Sequence, residues 1–515
     1  MRALSLKAVS SFYLTTPIYY VNSTPHIGHA YTTIAADILV RHHAQRGEDT
    51  FFLTGTDEHA SKVYRVAEER GLEAKAFVDQ IVEENWRPLA GLVAAEPDFF
   101  IRTTDEEHKE FVQDFVERLR ANGHIYEGTY EGLYCVGHET FISEDELVDG
   151  KCPEHGTVPE FIKEQNWFFR LSAFQEPLLR LYDERPDFVL PRFRYNEARS
   201  IIEGGLEDFS LSRQGQPWGV PIPWDPEQVT WVWVDALINY LSALTYAHPG
   251  QDLRDAYWPD VRHLLGKDIL RLHCVLWPAL LLGAGYSVPK QLFVHGYLLL
   301  DDRKISKSLG NVIDPLDLVD VYGADAVRYW AARSVSFGQD GSASVDGLHE
   351  RYERELGNDL GNLVSRTTAM LSKYRDGELP VAESLLPPET FEQLNRDVAQ
   401  RLDVFDLTGA LDEIWEFVRS LNKFVTDTKP WELAKDDANA AELDRVLYSL
   451  ADGLRAAAVA LASYLPETAP RILEALGQPI ELGWDGVAVG RTVAAEGIEP
   501  AQPLFPRVEA PAAAA

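Results

Sequence analysis

Two histidines near the start of the chain have the spacing needed to bind a phosphate group. His26 and His29 are three residues apart, so on a helix they would share one face. Pro25 stands just before them, as is typical of a helix start, where unpaired N–H groups and partial positive charge attract anions. Gly28 would leave room beside the backbone for a nucleotide. Two imidazoles there can donate hydrogen bonds to phosphate oxygens, although two capping or exposed histidines explain this motif equally well.

A second basic cluster lies past the middle of the chain. Lys304 and Lys307 flank Ser306, between two aspartates and Gly310. A flexible cationic loop of this kind can close on a triphosphate, whereas most loop lysines are simply solvated. The chain has no Walker A or G-x-G-x-x-G element, so phosphate binding would depend on the two clusters. We therefore predict that the two histidines and two lysines are catalytic, within an ATP-binding set of His26, Gly28, His29, Lys304, Ser306 and Lys307.

Alternating strands and helices are predicted to position these clusters. Residues 12–16 and 50–54 are β-rich, and between them apolar residues recur at helical spacing up to Gly47. Residues 230–234 and 291–294 again have strand character. Strand–helix–strand order favours a parallel α/β sheet. Beyond residue 355 strand patterns stop, and apolar stripes at helical spacing predict an all-α bundle.

The two clusters, taken in this order, make the chain resemble the methionyl-tRNA synthetase family of class I aminoacyl-tRNA synthetases. The residues after the second cluster, Ser308–Ile313 and Tyr322–Tyr329, continue the family pattern, and the resemblance spans about residues 12 to 490. The family usually has methionine where Ile305 stands, and both side chains are apolar. The resemblance implies activation of L-methionine by Mg²⁺-bound ATP, then transfer of methionine to the 3′ end of methionine tRNA.

The resemblance also implies a domain order. It is a Rossmann-like parallel-sheet catalytic domain, split by a connective insertion with a zinc knuckle and followed by an all-α anticodon-binding bundle. Residues 120–225, rich in glycine, aromatic and charged residues, are the predicted insertion. The last segment is rich in proline and alanine and is expected to be a loose tail. The predicted domains are 1–119 and 226–300 for the catalytic halves, 120–225 for the insertion with the knuckle at about 126–165, 301–355 for the lysine loop and stem-contact region, 356–490 for the helical domain and 491–515 for the tail.

A methionine pocket is implied by four segments that match the family, residues 17–22, 55–59, 233–240 and 266–273. Asp57 would pair with the substrate ammonium, which needs an anion in a partly desolvated site. A thioether is polarizable and favours aromatic edges, which these segments supply. Any one of the aromatic residues alone is better explained as ordinary core. The predicted pocket residues are Ile18, Tyr20, Asp57, Trp233, Ala236, Leu237, Tyr240, Asp268, Ile269, Leu272 and His273.

Two C-x-x-H pairs form a candidate metal site. Cys135, His138, Cys152 and His155 suit tetrahedral zinc on two tight knuckle turns. The resembled family often holds structural zinc here, commonly with three cysteines and one histidine, and His138 stands where a cysteine is expected. A weaker site, a lost site and two ordinary turns therefore stay open as alternatives, with His124 as a less well placed substitute ligand.

The helical domain contains three residues that the resemblance implies for anticodon recognition. Asn362 and Arg366 are four residues apart and share a helix face, and Trp431 would stack on an unstacked base. Without the upstream motifs, a Trp431 that plugs the bundle and an Asn362 that caps a helix would be the better interpretation.

Bulk composition limits the class of protein. A chain of 515 residues needs two to four domains, and a net charge of −33 argues against nonspecific coating of nucleic acid, because phosphate contacts need Lys and Arg. No apolar stretch reaches membrane-spanning length and no secretory leader is recognisable, so we expect a cytoplasmic protein without a membrane partner. No appended dimerisation domain follows residues 503–507, which favours a monomer.

Three other functions compete with this one. A cysteinyl-tRNA synthetase would place zinc in its amino-acid site, but the segment from Trp233 to Tyr240 argues against it. A catalytically silent RNA-binding paralogue is disfavoured because both ATP motifs are intact. A small nucleotidyltransferase that uses the histidine helix alone is disfavoured by the chain length and the helical domain.

Overall fold

The computed structural model describes residues 10–21, 24–135, 140–153, 156–300, 303–304, 313–334, 336 and 338–509, with 140–141, 300, 303–304 and 343 by their backbone alone. The first part alternates strands and helices as the sequence predicts. Gly47, with φ +79°, follows the first helix in a left-handed conformation that glycine tolerates best. The strands are β1 (Ser11–Thr15), β2 (Tyr19–Tyr20), β3 (Asp49–Asp57) and β4 (Phe99–Arg102), and the helices are α1 (Ile27–Gln45), α2 (Ser61–Glu69), α3 (Ala74–Ile81), α4 (Arg87–Leu92) and α5 (Glu106–Ala121), with a π-helical turn at Val82–Trp86.

The following segment is dominated by antiparallel strands. β5 and β7 pair along their length in a long hairpin whose strands also pair with β6 and β9. The strands are β5 (Ile125–Cys135), β6 (Thr140–Ile142), β7 (Glu160–Phe169), β8 (Val189–Leu190), β9 (Phe209–Ser210), β10 (Ser212–Gln214), β11 (Pro221–Ile222) and β12 (Asp225–Thr230), and the helices are α6 (Gln175–Glu184) and α7 (Arg192–Glu203).

The chain then returns to strand and helix alternation. Residues 231–234, predicted as strand, instead begin a helix, because a run that is buried on all sides has no periodicity to separate the two. The elements are α8 (Val232–Tyr246), α9 (Arg254–Tyr257), β13 (Val261–Gly266), α10 (Trp277–Ala284) and β14 (Gln291–His295), with a 3₁₀ turn at Lys267–Ile269 and a π-helical turn at Leu272–Leu276.

One parallel sheet joins the two predicted halves of the catalytic domain. Its strand order is β2-β3-β1-β13-β14-β8, and β4 also pairs with β3 in parallel orientation. The predicted parallel α/β sheet is therefore confirmed. Strand β8 pairs with β14, so residues 189–190 inside the predicted insertion contribute to the catalytic sheet.

A small three-stranded sheet and a group of helices follow. β15 pairs with β16 in antiparallel and with β17 in parallel orientation. The elements are β15 (Leu298–Leu300), β16 (Arg303–Lys304), β17 (Gly341–Ala343), α11 (Pro315–Tyr322), α12 (Ala324–Arg333) and α13 (Val345–Arg351), then a π-helical segment at Tyr352–Gly361.

The last domain is helical, as predicted, and the apolar stripes at 411–421 and 443–454 line its core. The expected loose tail is wrong as far as residue 509, because Ile498 and Leu504 are buried and the Tyr352 hydroxyl donates to the Pro506 carbonyl (2.7 Å). The helices are α14 (Asn362–Arg375), α15 (Pro388–Asp403), α16 (Leu407–Thr428), α17 (Pro430–Leu433), α18 (Ala440–Leu461) and α19 (Thr468–Ala475).

A buried arginine connects the catalytic and helical domains. Arg328 on α12 is fully buried and lies 2.6 Å from Asp37 on α1. The same guanidinium donates to the carbonyls of Ser463 and Tyr464, which follow α18. The described helices include none that is both long and apolar enough to cross a bilayer.

Candidate active site

The two histidines cap the start of helix α1. His26 is the N-cap residue, and its Nδ1 accepts a hydrogen bond from the Gly28 amide (3.1 Å). The His26 amide in turn donates to Nδ1 of His29 (3.1 Å), and the two rings lie 3.9 Å apart. Because both Nδ1 atoms accept, Nε2 is the N–H donor atom of each neutral ring. A Cβ at Gly28 would lie 2.9 Å from Cε1 of His26, so glycine makes room for this cap as well as for a ligand.

Two aromatic residues hold His29 in place. Trp86 and Tyr19 meet its ring edge-on, with centroids at 5.0 and 5.2 Å, and they stack on each other at 5.3 Å. Trp86 ends the π-helical turn after α3, and such turns are frequent at functional sites. Sequence reasoning missed Trp86 because nothing in its local pattern distinguishes it from core.

The lysine loop begins on the small three-stranded sheet and ends beside the start of helix α1. The Lys304 backbone lies on β16 opposite Leu299, whereas Ser306 and Lys307 lie outside the described residues. Ile313, where the described chain resumes, accepts a hydrogen bond from the Ile27 amide (3.2 Å). The end of the lysine loop therefore meets the start of the histidine helix.

The first and second pocket segments meet on neighbouring strands. Tyr20 on β2 is in register with Asp57, the buried last residue of β3. The Tyr20 ring also meets Trp233 of α8 edge-on, with centroids 5.6 Å apart. Five predicted pocket residues are half-buried and pack against the core that contains Leu237 and Tyr240; they are Ile18, Tyr20, Trp233, Ile269 and Leu272. Half-burial on a common core is what the wall of a pocket requires.

A hydrogen-bonded pair joins the third and fourth segments. Nδ1 of His273 lies 3.0 Å from the Ile269 carbonyl, which can only accept, so Nδ1 carries the proton. The Tyr240 hydroxyl then donates to His273 Nε2 (2.8 Å). Burial lowers the pKa of His273 to about 4, which keeps the ring neutral, and burial raises the pKa of Tyr240.

The other predicted pocket residues lie on the same two segments. Ala236 is buried on α8 between Trp233 and Tyr240. Asp268 is exposed in the 3₁₀ turn after β13, and a Cβ at Gly266 would lie 2.6 Å from its Oδ1. Asp268 therefore lies at the carboxyl end of the sheet, where ligands bind in open α/β folds.

Sequence reasoning missed a buried histidine–aspartate–histidine network behind the pocket. Asp235 on α8 accepts from Nδ1 of His59 (2.7 Å) and from Nε2 of His108 (2.8 Å). Burial alone would raise the pKa of Asp235, but the two histidines lower it to about 2. His59 follows Asp57 by two residues, and Asp235 follows Trp233 by two, so the network ties two pocket segments together. The sequence analysis identified the end of β3 and the α8 segment as parts of the pocket. It did not predict that His59 and Asp235 pair with each other.

The candidate metal residues are only partly described. Cys135, at the end of β5, and Cys152 are fully buried in one small core with Ile142. The Gly156 amide donates to the Cys152 carbonyl (2.8 Å). His138 and His155 lie outside the described residues. Within the described part of the chain, no group of three or more potential metal ligands occurs.

The three predicted anticodon residues lie on the surface of the helical domain. Asn362 and Arg366 are exposed on α14, and Asn362 Nδ2 donates to Oδ1 of Asn358 (3.2 Å). Trp431 on α17 is 39% exposed, so it does not plug the bundle.

Comparisons with known proteins agree with this arrangement. Residues 12–157 and 155–368 match the family model described as tRNA synthetases class I (M). The chain is 44% identical to a methionine–tRNA ligase of Caldanaerobacter subterraneus over 97% of this chain and 79% of that protein, and 41% identical to one of Streptomyces coelicolor over 98% of both. It superposes with a TM-score of 0.92 and 38% identity on Mycobacterium tuberculosis methionyl-tRNA synthetase in complex with methionyl-adenylate, covering 97% of this chain and 100% of that one. The chain therefore belongs to the class I aminoacyl-tRNA synthetases, within the methionyl-tRNA synthetase family.

Proposed function

We propose that this chain activates L-methionine with ATP, releasing pyrophosphate, and transfers methionine from the adenylate to the 3′ end of methionine tRNA. The observation that carries this proposal is the Ile27–Ile313 hydrogen bond, which brings the flank of the lysine loop to the start of the histidine helix. Tyr19 and Tyr20 then connect that helix to the pocket, since Tyr19 contacts His29 and Tyr20 pairs with Asp57.

The reaction needs no nucleophile from the protein. The methionine carboxylate attacks the α-phosphorus, a bond forms between them, and pyrophosphate leaves with the bonding electrons. Catalysis then depends on positioning and on stabilising the charge of the transition state. His26 and His29 would donate from Nε2 to phosphate oxygens, and Lys304, Ser306 and Lys307 would approach from the loop. Mg²⁺ bound with ATP supplies further positive charge.

The pocket chemistry supports methionine as the amino acid. Asp57 would take the ammonium group, while Tyr20, Trp233 and Tyr240 present aromatic surface to the thioether. A neutral His273 suits an uncharged side chain. The cysteinyl alternative needs zinc in the pocket, but Cys135 and Cys152 lie in a small core separate from the one behind the pocket.

Amino-acid-dependent exchange of pyrophosphate into ATP tests this function before any tRNA is added. We expect exchange with methionine and none with the other amino acids, apart from weak exchange with close analogues, because an apolar pocket discriminates one methylene by only about 1–3 kcal/mol. Exchange driven by cysteine would support the cysteinyl alternative. A folded chain without any exchange would support the silent RNA-binding paralogue.

We also propose a structural zinc ion held by Cys135, His138, Cys152 and His155. This proposal is supported by the burial of Cys135 and Cys152 in one small core. Two thiols together with two imidazoles suit tetrahedral zinc. Metal analysis of the purified chain should find about one zinc per chain. Cys152→Ala should lose it, whereas Cys274→Ala, at the third buried cysteine, should keep it. A zinc-free wild-type chain would mean that the site is lost.

The tRNA partner is proposed to be read at its anticodon by Asn362, Arg366 and Trp431. One chain carries both these exposed residues and the proposed catalytic site. A single copy could therefore bind tRNA and aminoacylate it, so we propose a monomer. Light scattering at working concentration tests this state, and a dimer mass would contradict it.

A further inference from the structure

An ion pair links the large parallel sheet to the small sheet that carries Lys304. Lys267 directly follows β13, and its ammonium pairs with Asp340, which directly precedes β17. Asp340 also accepts a hydrogen bond from the Tyr297 amide through its other oxygen (2.8 Å). The Lys267 ammonium lies 4.4 Å from the centroid of the Tyr297 ring, within range of a cation–π contact.

The backbone around this pair is tightly packed. A Cβ at Gly296 would lie 2.3 Å from the carbonyl carbon and oxygen of Gln339, so only glycine allows this approach. The Gly341 amide donates to the Tyr297 carbonyl (3.2 Å). Lys267 thus forms its ion pair at a closely packed junction between the start of β15 and the start of β17.

The junction leads directly to the lysine loop. β15 pairs on one side with β17 and on the other with β16, where Leu299 lies opposite Lys304. Partial burial alone would raise the pKa of Asp340, but the Lys267 ammonium and the Tyr297 amide lower it, so the carboxylate is charged at neutral pH. Lys267 also directly precedes Asp268, a predicted pocket residue. The pair therefore joins the pocket wall to the base of the hairpin.

We propose that Lys267 and Asp340 are positioning residues that fix the base of the β15–β16 hairpin, and thereby the placement of the lysine loop on ATP. The inference rests on the proposed function of that loop. An ion pair this close to the surface contributes little to folding, so we expect its loss to leave the fold intact. A displacement of about 1 Å at a reacting group, in contrast, costs up to about 100-fold in rate.

The test compares Asp340→Asn, Lys267→Met and the double variant in methionine-dependent exchange. We expect each single variant to lower kcat about 10- to 100-fold with little change in KM for methionine. The double variant should be no worse than the singles, because both remove one interaction. Lys267→Arg should restore most of the rate. The matched control is Lys290→Met, which removes a similar lysine–aspartate pair, Lys290 with Asp260, at the opposite end of the sheet.

Three results would overturn the proposal. If Asp340→Asn kept the wild-type rate while Lys267→Met were inactive, Lys267 would act on the substrate directly. An equal loss in Lys290→Met would indicate a general effect of surface charge, and a lower urea midpoint in Asp340→Asn would indicate lost folding. A wild-type chain without exchange would instead overturn the proposed function itself, and this inference with it.

Discussion

In the proposed methionine pocket, Tyr240 and His273 are buried and hydrogen-bonded to each other, whereas Asn362, Arg366 and Trp431 on the helical domain are exposed. The pocket residues are supported from behind by the Asp235 network and by strand pairing. The proposed anticodon residues lie on exposed helix surfaces. Among the described residues, only Asn362 of the three makes a side-chain hydrogen bond.

We infer that this difference reflects the sizes of the two proposed ligands. A small amino acid offers few contacts, so each one must be held in place before the ligand binds. An RNA loop offers bases that can splay out and stack, so exposed side chains can adapt to it. Substitutions in the pocket should therefore change the rate of amino-acid activation. Substitutions on the helical face should change only the use of tRNA.

Asp57→Asn should give the largest effect on activity. Removing the charged partner of a desolvated ammonium costs about 2–5 kcal/mol, or about 30- to 5,000-fold in kcat/KM for methionine. Methionine-dependent exchange measures this loss, and KM for ATP should change little. Normal methionine use by Asp57→Asn would show that another group binds the ammonium.

Asp235→Asn should cause a loss of similar size, but in stability, and it tests whether the network behind the pocket matters. The amide cannot accept from both histidines, and breaking a buried pair costs about 3–5 kcal/mol. Urea unfolding should show this loss at pH 7. Asp260→Asn, which removes a partly exposed carboxylate that pairs with Lys290, should change stability by only about 1 kcal/mol. Equal effects in both variants would remove the special role of Asp235.

Trp431→Ala should act only on the tRNA step. Stacking on one base contributes about 1–3 kcal/mol, so kcat/KM for tRNA should fall about 5- to 150-fold. Pyrophosphate exchange should stay within about twofold of wild type, because Trp431 lies on the helical domain. A matching loss of exchange would contradict the separation of the two regions.

The pH dependence of stability should show the smallest effect. His273 has a pKa of about 4 in the folded chain, below its ordinary value of 6.5. Between these values the unfolded chain binds the extra proton, so the free energy of unfolding falls as the pH drops below about 6.5. From pH 7 to 5.5 this group should contribute about 1 kcal/mol of the loss. His273→Gln should lose that much less over this range in urea titrations, and an unchanged slope would refute the neutral ring.

Sequence patterns predicted much of the fold, and the failures have physical causes. Helix α1 and the helical stripes were predicted from apolar residues at helical spacing, and strand β3 was predicted from a short β-rich run. The start of α8 was mistaken for a strand because it is apolar all round. The segment to residue 509 was mistaken for a tail because Ile498 and Leu504 are isolated in a Pro- and Ala-rich sequence and pack only on distant residues.

The sequence by itself determined the chemistry: two histidines at a helix start, a lysine loop, an acidic residue after a strand and aromatic residues on a later helix. These signals are local, because they depend on residue type and short spacing. Only the tertiary structure decided which residues support them. Trp86 against His29, Asp235 between two histidines, and Lys267 with Asp340 are contacts between residues far apart in the chain. No local pattern encodes such pairs, since their formation depends on how the whole sheet and its helices pack.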